Sequence, residues 1–114
     1  FALSQKDVEF IERVNTILSE LLADESCSID LLAEQMNMSR SNLHLKLKAI
    51  TGESTIDFIR KIRFNEAAKL LKDGRYTIAE VSTMVGFNTP SYFATSFKKY
   101  FGCLPTEYIK KAKG

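Results

Sequence analysis

Apolar positions recur every three to four residues from one end of the chain to the other. No stretch alternates with the period of two that marks a half-buried strand. Seven helices are expected, most with a start or stop signal of their own. The first opens after Ser4, with Asp7 three residues on, and carries a stripe of Ile11, Val14, Ile17, Leu18, Leu21 and Leu22 that ends near Ala23. Ser28 caps a second helix over 29–36 with Asp30 in its first turn, and Asn37 stands where a left-handed residue would end it. Ser39 caps a third helix that runs to about Thr51 and stops at Gly52. A longer fourth helix covers about 55–73, with Phe58, Ile59, Ile62, Ala67, Leu70 and Leu71 on its expected buried side and Gly74 as its stop. Thr77, Ile78, Ala79 and Glu80 form a capping box that opens a fifth helix ending before Gly86. Pro90 takes the first position of the sixth, which reaches Tyr100 or Phe101 before Gly102, and Pro105 opens a short seventh through about Lys111.

Two stretches about 50 residues apart, 28–59 and 77–109, repeat one pattern. Ile29 aligns with Ile78, Ala33 with Ser82, Asn37 with Gly86 and Met38 with Phe87. After one extra residue in the second copy, Leu43 aligns with Phe93, Leu47 with Phe97, Lys48 with Lys98, Gly52 with Gly102 and Phe58 with Tyr108. The small residue lets two helices cross closely, Asn or Gly makes the sharp turn, and the apolar residue after it plugs the corner. One copy is a weak signal for a helix-turn-helix; two in one register are a stronger one. The expected fold is all-α, with two helix-turn-helix subdomains joined by a long linker helix. The expected organisation is one domain over 1–114: an acidic first helix (1–27), a first helix-turn-helix (28–53), the linker (54–74), and a second helix-turn-helix with the C-terminal helix (77–114).

Composition fits that of a compact globular domain: 114 residues, 45% hydrophobic, 26% charged, with eight Phe and four Tyr for a core. No apolar run has membrane-spanning length, and no secretory signal precedes the fold, so membrane contact by this domain is not expected. The chain starts on Phe1 rather than Met, which leads to the expectation of a piece of a longer protein or a processed product. The net charge of +2 hides an asymmetry. Residues 1–36 hold two basic residues against eight acidic ones, and 37–114 hold fourteen against six, so a polyanion-binding surface is expected on the second part. Cys27 and Cys103 show no CxxC spacing and are read as reduced thiols of a cytoplasmic protein. With His44 as the single histidine, ligands for a zinc site are too few. No Ser/His/Asp set and no phosphate-cradling Gly loop is present, so neither enzyme activity nor a cofactor is expected.

The motifs resemble the DNA-binding domain of the AraC/XylS family of transcription regulators. The second copy carries most of the resemblance, in Ile78-Ala79-Glu80-Val81, Val85-Gly86-Phe87, Tyr92-Phe93, the run from Phe97 to Gly102, Pro105 and Tyr108. The first copy adds Leu32-Ala33, the run from Met38 to Ser41, Leu47-Lys48 and Thr51-Gly52. The linker adds Ile59-Arg60, Arg63, Ala67, Ala68, Leu70 and Leu71. The acidic first helix and the run from Met38 to Ser41 also look like the C-terminal output domain of hybrid two-component sensors. The resemblance implies sequence-specific binding to double-stranded DNA in transcription regulation, with activation as the expected direction. RNA polymerase is a further partner in that reading, and dimerisation falls to other parts of a parent protein, whose anchoring in a membrane is compatible with it.

Helix geometry selects the faces. In the third helix Leu43, Leu47 and Ile50 point inward, with Ser41, Leu45 and Lys48 roughly opposite and His44 beside them. In the sixth, Phe93, Phe97 and Tyr100 point inward, with Ser91, Thr95 and Lys98 opposite and Lys99 beside them. The resemblance assigns base reading to Ser41, His44 and Leu45 in the first copy and to Ser91, Tyr92 and Thr95 in the second. Relatives often carry Arg where this chain has Leu45 and Thr95. Neither residue reads guanine bidentately, both can meet thymine methyl groups, and A·T-rich steps are expected. Arg40, Lys48, Lys98 and Lys99 flank these faces as phosphate contacts, and the helix starts at Ser39 and at Thr89-Pro90 offer backbone N–H groups. The linker helix, ~19 residues at ~1.5 Å rise, spans roughly 28 Å. That suits two recognition helices about one DNA turn, roughly 34 Å, apart in successive major grooves, with some bending of the duplex. The alternative is a helical protein-interaction module whose acidic first helix docks on a partner.

Overall fold

The computed structural model describes residues 3–23 and 29–113, and every regular element among them is a helix. In chain order these are α1 (Gln5–Leu21), α2 (Ile29–Gln35), α3 (Arg40–Thr51), α4 (Thr55–Asp73), α5 (Ile78–Met84), α6 (Pro90–Phe101) and α7 (Pro105–Lys113). The all-α expectation therefore holds. Element ends differ from the sequence reading by up to two residues: α2 stops one residue early and α7 runs two residues further. The Ser28 cap and Cys27 lie outside the described residues.

The described residues fall into two compact units, and α4 belongs to both. The first unit holds residues 3–21 and 29–62. Its core joins Phe10, Val14 and Leu18 of α1, Leu32 and Ala33 of α2, Met36, Leu43 and Leu47 of α3, and Phe58 of α4. Phe10 is missing from the sequence-derived stripe, although it stands four residues before Val14 and is buried with it. Ile11, Ile17 and Leu21 are only half-buried.

The second unit holds Leu22, Ala23 and residues 63–113. Its core joins Phe64, Ala67 and Leu71 of α4, Val81, Val85, and Phe93 and Phe97 of α6. Phe64 is its centre. The ring lies 4.8 Å from Tyr100 in a stacked arrangement, 5.7 Å from Phe87, and 6.2 Å from both Phe97 and Phe101, separations at which aromatic pairs attract. This corrects the sequence reading of α4, which left out Phe64 and Ala68 and counted Ile59, Ile62 and Leu70 as buried when they are half-buried. Tyr100 also differs from its expected inward position. It is 41% exposed and covers Phe64 from the rim.

The local start and stop signals act as their chemistry predicts. Ser4 Oγ accepts the Asp7 N–H, Ser39 Oγ that of Asn42, Ser54 Oγ that of Asp57 and Thr89 Oγ1 that of Tyr92, all within 3.1–3.2 Å. Each such cap is worth about 1 kcal/mol. Thr77 and Glu80 form a full capping box: the Thr77 hydroxyl accepts the Glu80 N–H at 3.1 Å, and the Glu80 carboxylate accepts the Thr77 N–H at 2.9 Å. That backbone N–H holds the Glu80 carboxyl below its ordinary pKa. The carboxylate is therefore stabilising at neutral pH, and its contribution disappears as pH falls through the lowered value. Glu80→Gln should lower the melting temperature at pH 7, and the gap to wild type should narrow as pH falls through the lowered value. Thermal melts of both proteins across pH check this.

The two helix-turn-helix corners share one hydrogen-bond pattern. In the first, the N–H of Met38 reaches back to the Ala33 carbonyl at 2.9 Å and that of Asn37 to Glu34 at 3.0 Å. In the second, Phe87 N–H reaches Ser82 at 2.9 Å and Gly86 N–H reaches Thr83 at 3.1 Å. This 6→1 and 5→2 pairing is the Schellman motif, which requires a left-handed residue. Asn37 supplies it at φ 56° and Gly86 at φ 88°. The two positions tolerate different side chains. A Cβ on Gly86 would land on the Arg63 guanidinium and the Leu22 carbonyl, because Arg63 is threaded beneath it to donate to the carbonyls of Val85 (2.5 Å) and Leu22 (3.1 Å). Exchanging residues between the copies therefore has unequal effects. Asn37→Gly is expected to stabilise by up to ~1 kcal/mol, whereas Gly86→Asn is expected to cost about 2 kcal/mol or more. Ser82 has a buried hydroxyl with no partner, so Ser82→Ala, which copies Ala33, should be neutral or stabilising by about 1 kcal/mol. Denaturant titration of the three variants distinguishes these outcomes.

Candidate nucleic-acid interface

In each unit the residues that hold the corner also set the outward face of the second helix. In α3, Leu43 and Leu47 are fully buried. Two residues along from Leu43 is about 200° around the helix, and there Leu45 is 65% exposed. Ser41 and Lys48 are exposed on the same side, and His44 is half-buried beside them. Ser41, His44, Leu45 and Lys48 therefore share one surface of the first unit, with Arg40 at the helix start. A Leu side chain two-thirds exposed gains nothing from the core, which makes its position on this face a feature of the surface and not of the packing.

In α6, Phe93 and Phe97 are fully buried, and Ser91, Thr95, Lys98 and Lys99 are exposed. Tyr92 is 63% exposed, yet its ring leans on Phe87 at 5.5 Å between centroids. Phe87 in turn packs on Phe93 at 5.2 Å and on Phe64. The Tyr92 ring is thus an exposed aromatic on a buttressed base. The Thr95 hydroxyl donates to the Ser91 carbonyl at 3.0 Å. Its proton is committed to the helix backbone, which leaves the methyl group and an acceptor lone pair for a neighbour.

The helix starts differ. Ser39 and Thr89 each take up one N–H of the first turn. Pro90 brings no N–H, so α6 has one donor fewer than α3 to offer an anion. Both recognition-type helices close on a left-handed glycine, whose N–H returns to the carbonyl of Lys48 at 2.9 Å or Lys98 at 2.7 Å. Lys48 and Lys98 thus stand in the last turn of their helices, where a cation complements the helix dipole.

Two features escaped the sequence reading. Tyr92 rests on Phe87, five residues away and across the corner. Arg40 also has a partner: its guanidinium lies 3.4 Å from Asp30 of α2, both side chains being well exposed. A spacing of ten residues between two helices carries no periodic signal, so neither contact was visible before the turn geometry was known. Among the described residues no helix is long and apolar enough to cross a membrane, and no group of three or more His, Cys, Asp or Glu is placed to hold a metal ion.

A family model described as a helix-turn-helix domain matches residues 32–111. The chain is 31% identical over 106 residues to "Histidine kinase P4" of Formosa agariphila, covering 93% of this chain and 8% of that protein. It is 32% identical over 79 residues to a "Putative AraC-like transcription regulator" of Streptomyces lividans, covering 69% of this chain and 26% of the relative. Among solved structures it is similar to the C-terminal domain of AraT, a response regulator from Geobacillus stearothermophilus, with a TM-score of 0.81 and 30% identity over 97% of this chain and 88% of the other. The chain spans 8–36% of the length of the first curated relatives it matches. With two corners of identical hydrogen-bond pattern, an exposed polar face on each second helix and these relatives, the chain belongs to the AraC-type helix-turn-helix family of transcription regulators.

Proposed function

We propose that this chain reads double-stranded DNA with both of its helix-turn-helix units, as the output domain of a bacterial regulator, in the direction of activation. The observation that carries the reading is the double one: the same corner, hydrogen-bonded in the same register, presents an outward face in each unit. In this reading α3 and α6 enter successive major grooves. Ser41, His44 and Leu45 meet base edges in one groove; Ser91, Tyr92 and Thr95 meet them in the other. Arg40, Lys48, Lys98 and Lys99 hold phosphates, which sets register without reading sequence. The exposure of Leu45 and the back-bonded hydroxyl of Thr95 favour contact with thymine methyl groups over readout of guanine.

The domain organisation follows the same logic: one DNA-binding domain over 1–114, in which 28–53 and 77–114 carry the two readers and 54–74 links them. The relative named as a histidine kinase, of which this chain covers 8%, and the response-regulator neighbours support a place at the output end of a two-component system. Dimerisation and contact with RNA polymerase then rest on the parent protein's other parts and on surfaces away from α3 and α6. A parent of this kind works in the cytoplasm, whether or not it is tethered to a membrane.

Selection from a pool of random duplexes, repeated across a salt series, tests this. The expected result is an enriched A·T-leaning motif of two short blocks about one turn apart. The slope of log K against log[salt] should be near −4, since four phosphate contacts contribute about −0.9 each. Thr95→Arg should shift one position of one block towards guanine by roughly 1–3 kcal/mol of discrimination, and Leu45→Ala should relax a thymine preference in the other. Absence of binding at about 50 mM salt would remove DNA reading by the isolated domain and turn attention to the acidic α1 as a docking helix.

A further inference from the structure

The two units are alike in fold and unlike in the charge of their first helices. Asp30 and Glu34 are one turn apart and exposed on α2. The positions that match them on α5 are Ala79 and Thr83, which carry no charge. The nearest acid of α5, Glu80, is committed to the Thr77 cap. Asp30 also pairs with Arg40, the first residue of α3, at 3.4 Å. Its counterpart in the second unit, Pro90, has no charge to hold. Only the first unit therefore places an acid against the basic residue at the start of its recognition-type helix.

In a helix-turn-helix the first helix crosses the phosphate backbone and the second enters the groove. Carboxylates on α2 would then face phosphates, and Asp30 holds a cation, Arg40, at the start of the helix that enters the groove. Resting on the DNA-reading function proposed above, we infer that Asp30 is a specificity-determining residue that acts through Arg40. By holding the guanidinium in the free protein it competes with phosphate, and it lowers the first unit's grip on DNA of arbitrary sequence. The first unit then engages fully only where Ser41, His44 and Leu45 find their bases. The second unit carries no such restraint at the start of α6. An exposed pair at this distance is weak, which is what a restraint that DNA must displace requires.

The acid has a second effect that must be separated from this one. A carboxylate in the first turn of α2 also favours the helix dipole, so its loss will cost some stability whatever it does to DNA. The test compares wild type, Asp30→Asn, Arg40→Ala and the double variant. Each is titrated with a selected duplex and with a random-sequence pool between about 50 and 200 mM salt, alongside thermal melts. Asp30→Asn should bind the random pool about two- to fivefold more tightly at low salt, with a salt slope steeper by up to about 0.9. The selected-to-random ratio should fall, and the gain should vanish in the Arg40→Ala background. An unchanged slope with a lower melting temperature would reduce Asp30 to a helix-end charge. Weaker binding by Asp30→Asn would make it a positioning residue for Arg40, and the same gain without Arg40 would make it a direct phosphate repellent; each overturns the inference while leaving DNA reading intact. Failure of the wild type to bind any duplex would instead sink the DNA-reading function, and this inference with it.

Discussion

Both halves of the molecule depend on one backbone constraint, a left-handed residue at the corner between two short helices. Once Asn37 or Gly86 takes a positive φ, two N–H groups turn back onto the end of the helix before it, at the carbonyls of Ala33 and Glu34 or of Ser82 and Thr83. The carbonyl that accepts the 6→1 bond belongs to the small residue at the helix crossing, Ala33 or Ser82. The residue that donates it, Met38 or Phe87, plugs the corner. A single position thus sets the direction of the next helix, and with it the direction in which Leu45 or Thr95 faces. A helix of seven residues such as α2 or α5 is too short to be stable on its own, so this corner and the core beneath it decide whether the helix exists at all.

The copies have diverged around that shared corner. In the second unit Arg63 fills the space below Gly86 and satisfies two carbonyls, so the glycine cannot acquire a side chain. In the first, Asn37 is exposed. The outward faces differ too. One presents an aliphatic Leu45 flanked by a paired Arg40, and the other a Tyr92 ring buttressed by Phe87. Equivalent scaffolds with unlike faces suit a reader whose two halves do different work on one asymmetric site.

Much of this was legible from residue types alone. Caps and stops are local chemistry, so Ser39, Thr77-Glu80, Pro90, Gly52, Gly74 and Gly102 mark their helix ends, and Asn37 is of a type that tolerates the left-handed turn it makes. The repeat gave the fold because two weak patterns in one register reinforce each other. The misses share a cause. The apolar residues of α4 serve two cores in turn, so they do not form one stripe over 19 residues, and Phe64 fell outside the stripe that was drawn. Tyr100 has inward periodicity, but its ring ends at the rim over Phe64. Phe10 stands one residue before the expected start of the stripe at Ile11, and it packs inward one turn before Val14. The candidate interface was legible as faces of two helices. What the side chains do there, such as the Thr95 back-bond, the Tyr92 buttress and the Asp30–Arg40 pair, depends on contacts between elements that spacing does not encode.

In the proposed function both units, and not one of them, present a reading face to DNA. Amide chemical-shift mapping of the ¹⁵N-labelled chain, titrated with a duplex carrying its selected site, tests it most directly. Two separate sets of perturbed amides are expected, around Arg40, Ser41, His44, Leu45 and Lys48 on α3 and around Ser91, Tyr92, Thr95, Lys98 and Lys99 on α6, with α1 largely unmoved. Perturbations confined to one of the two helices, or centred on the acidic face of α1, would contradict it.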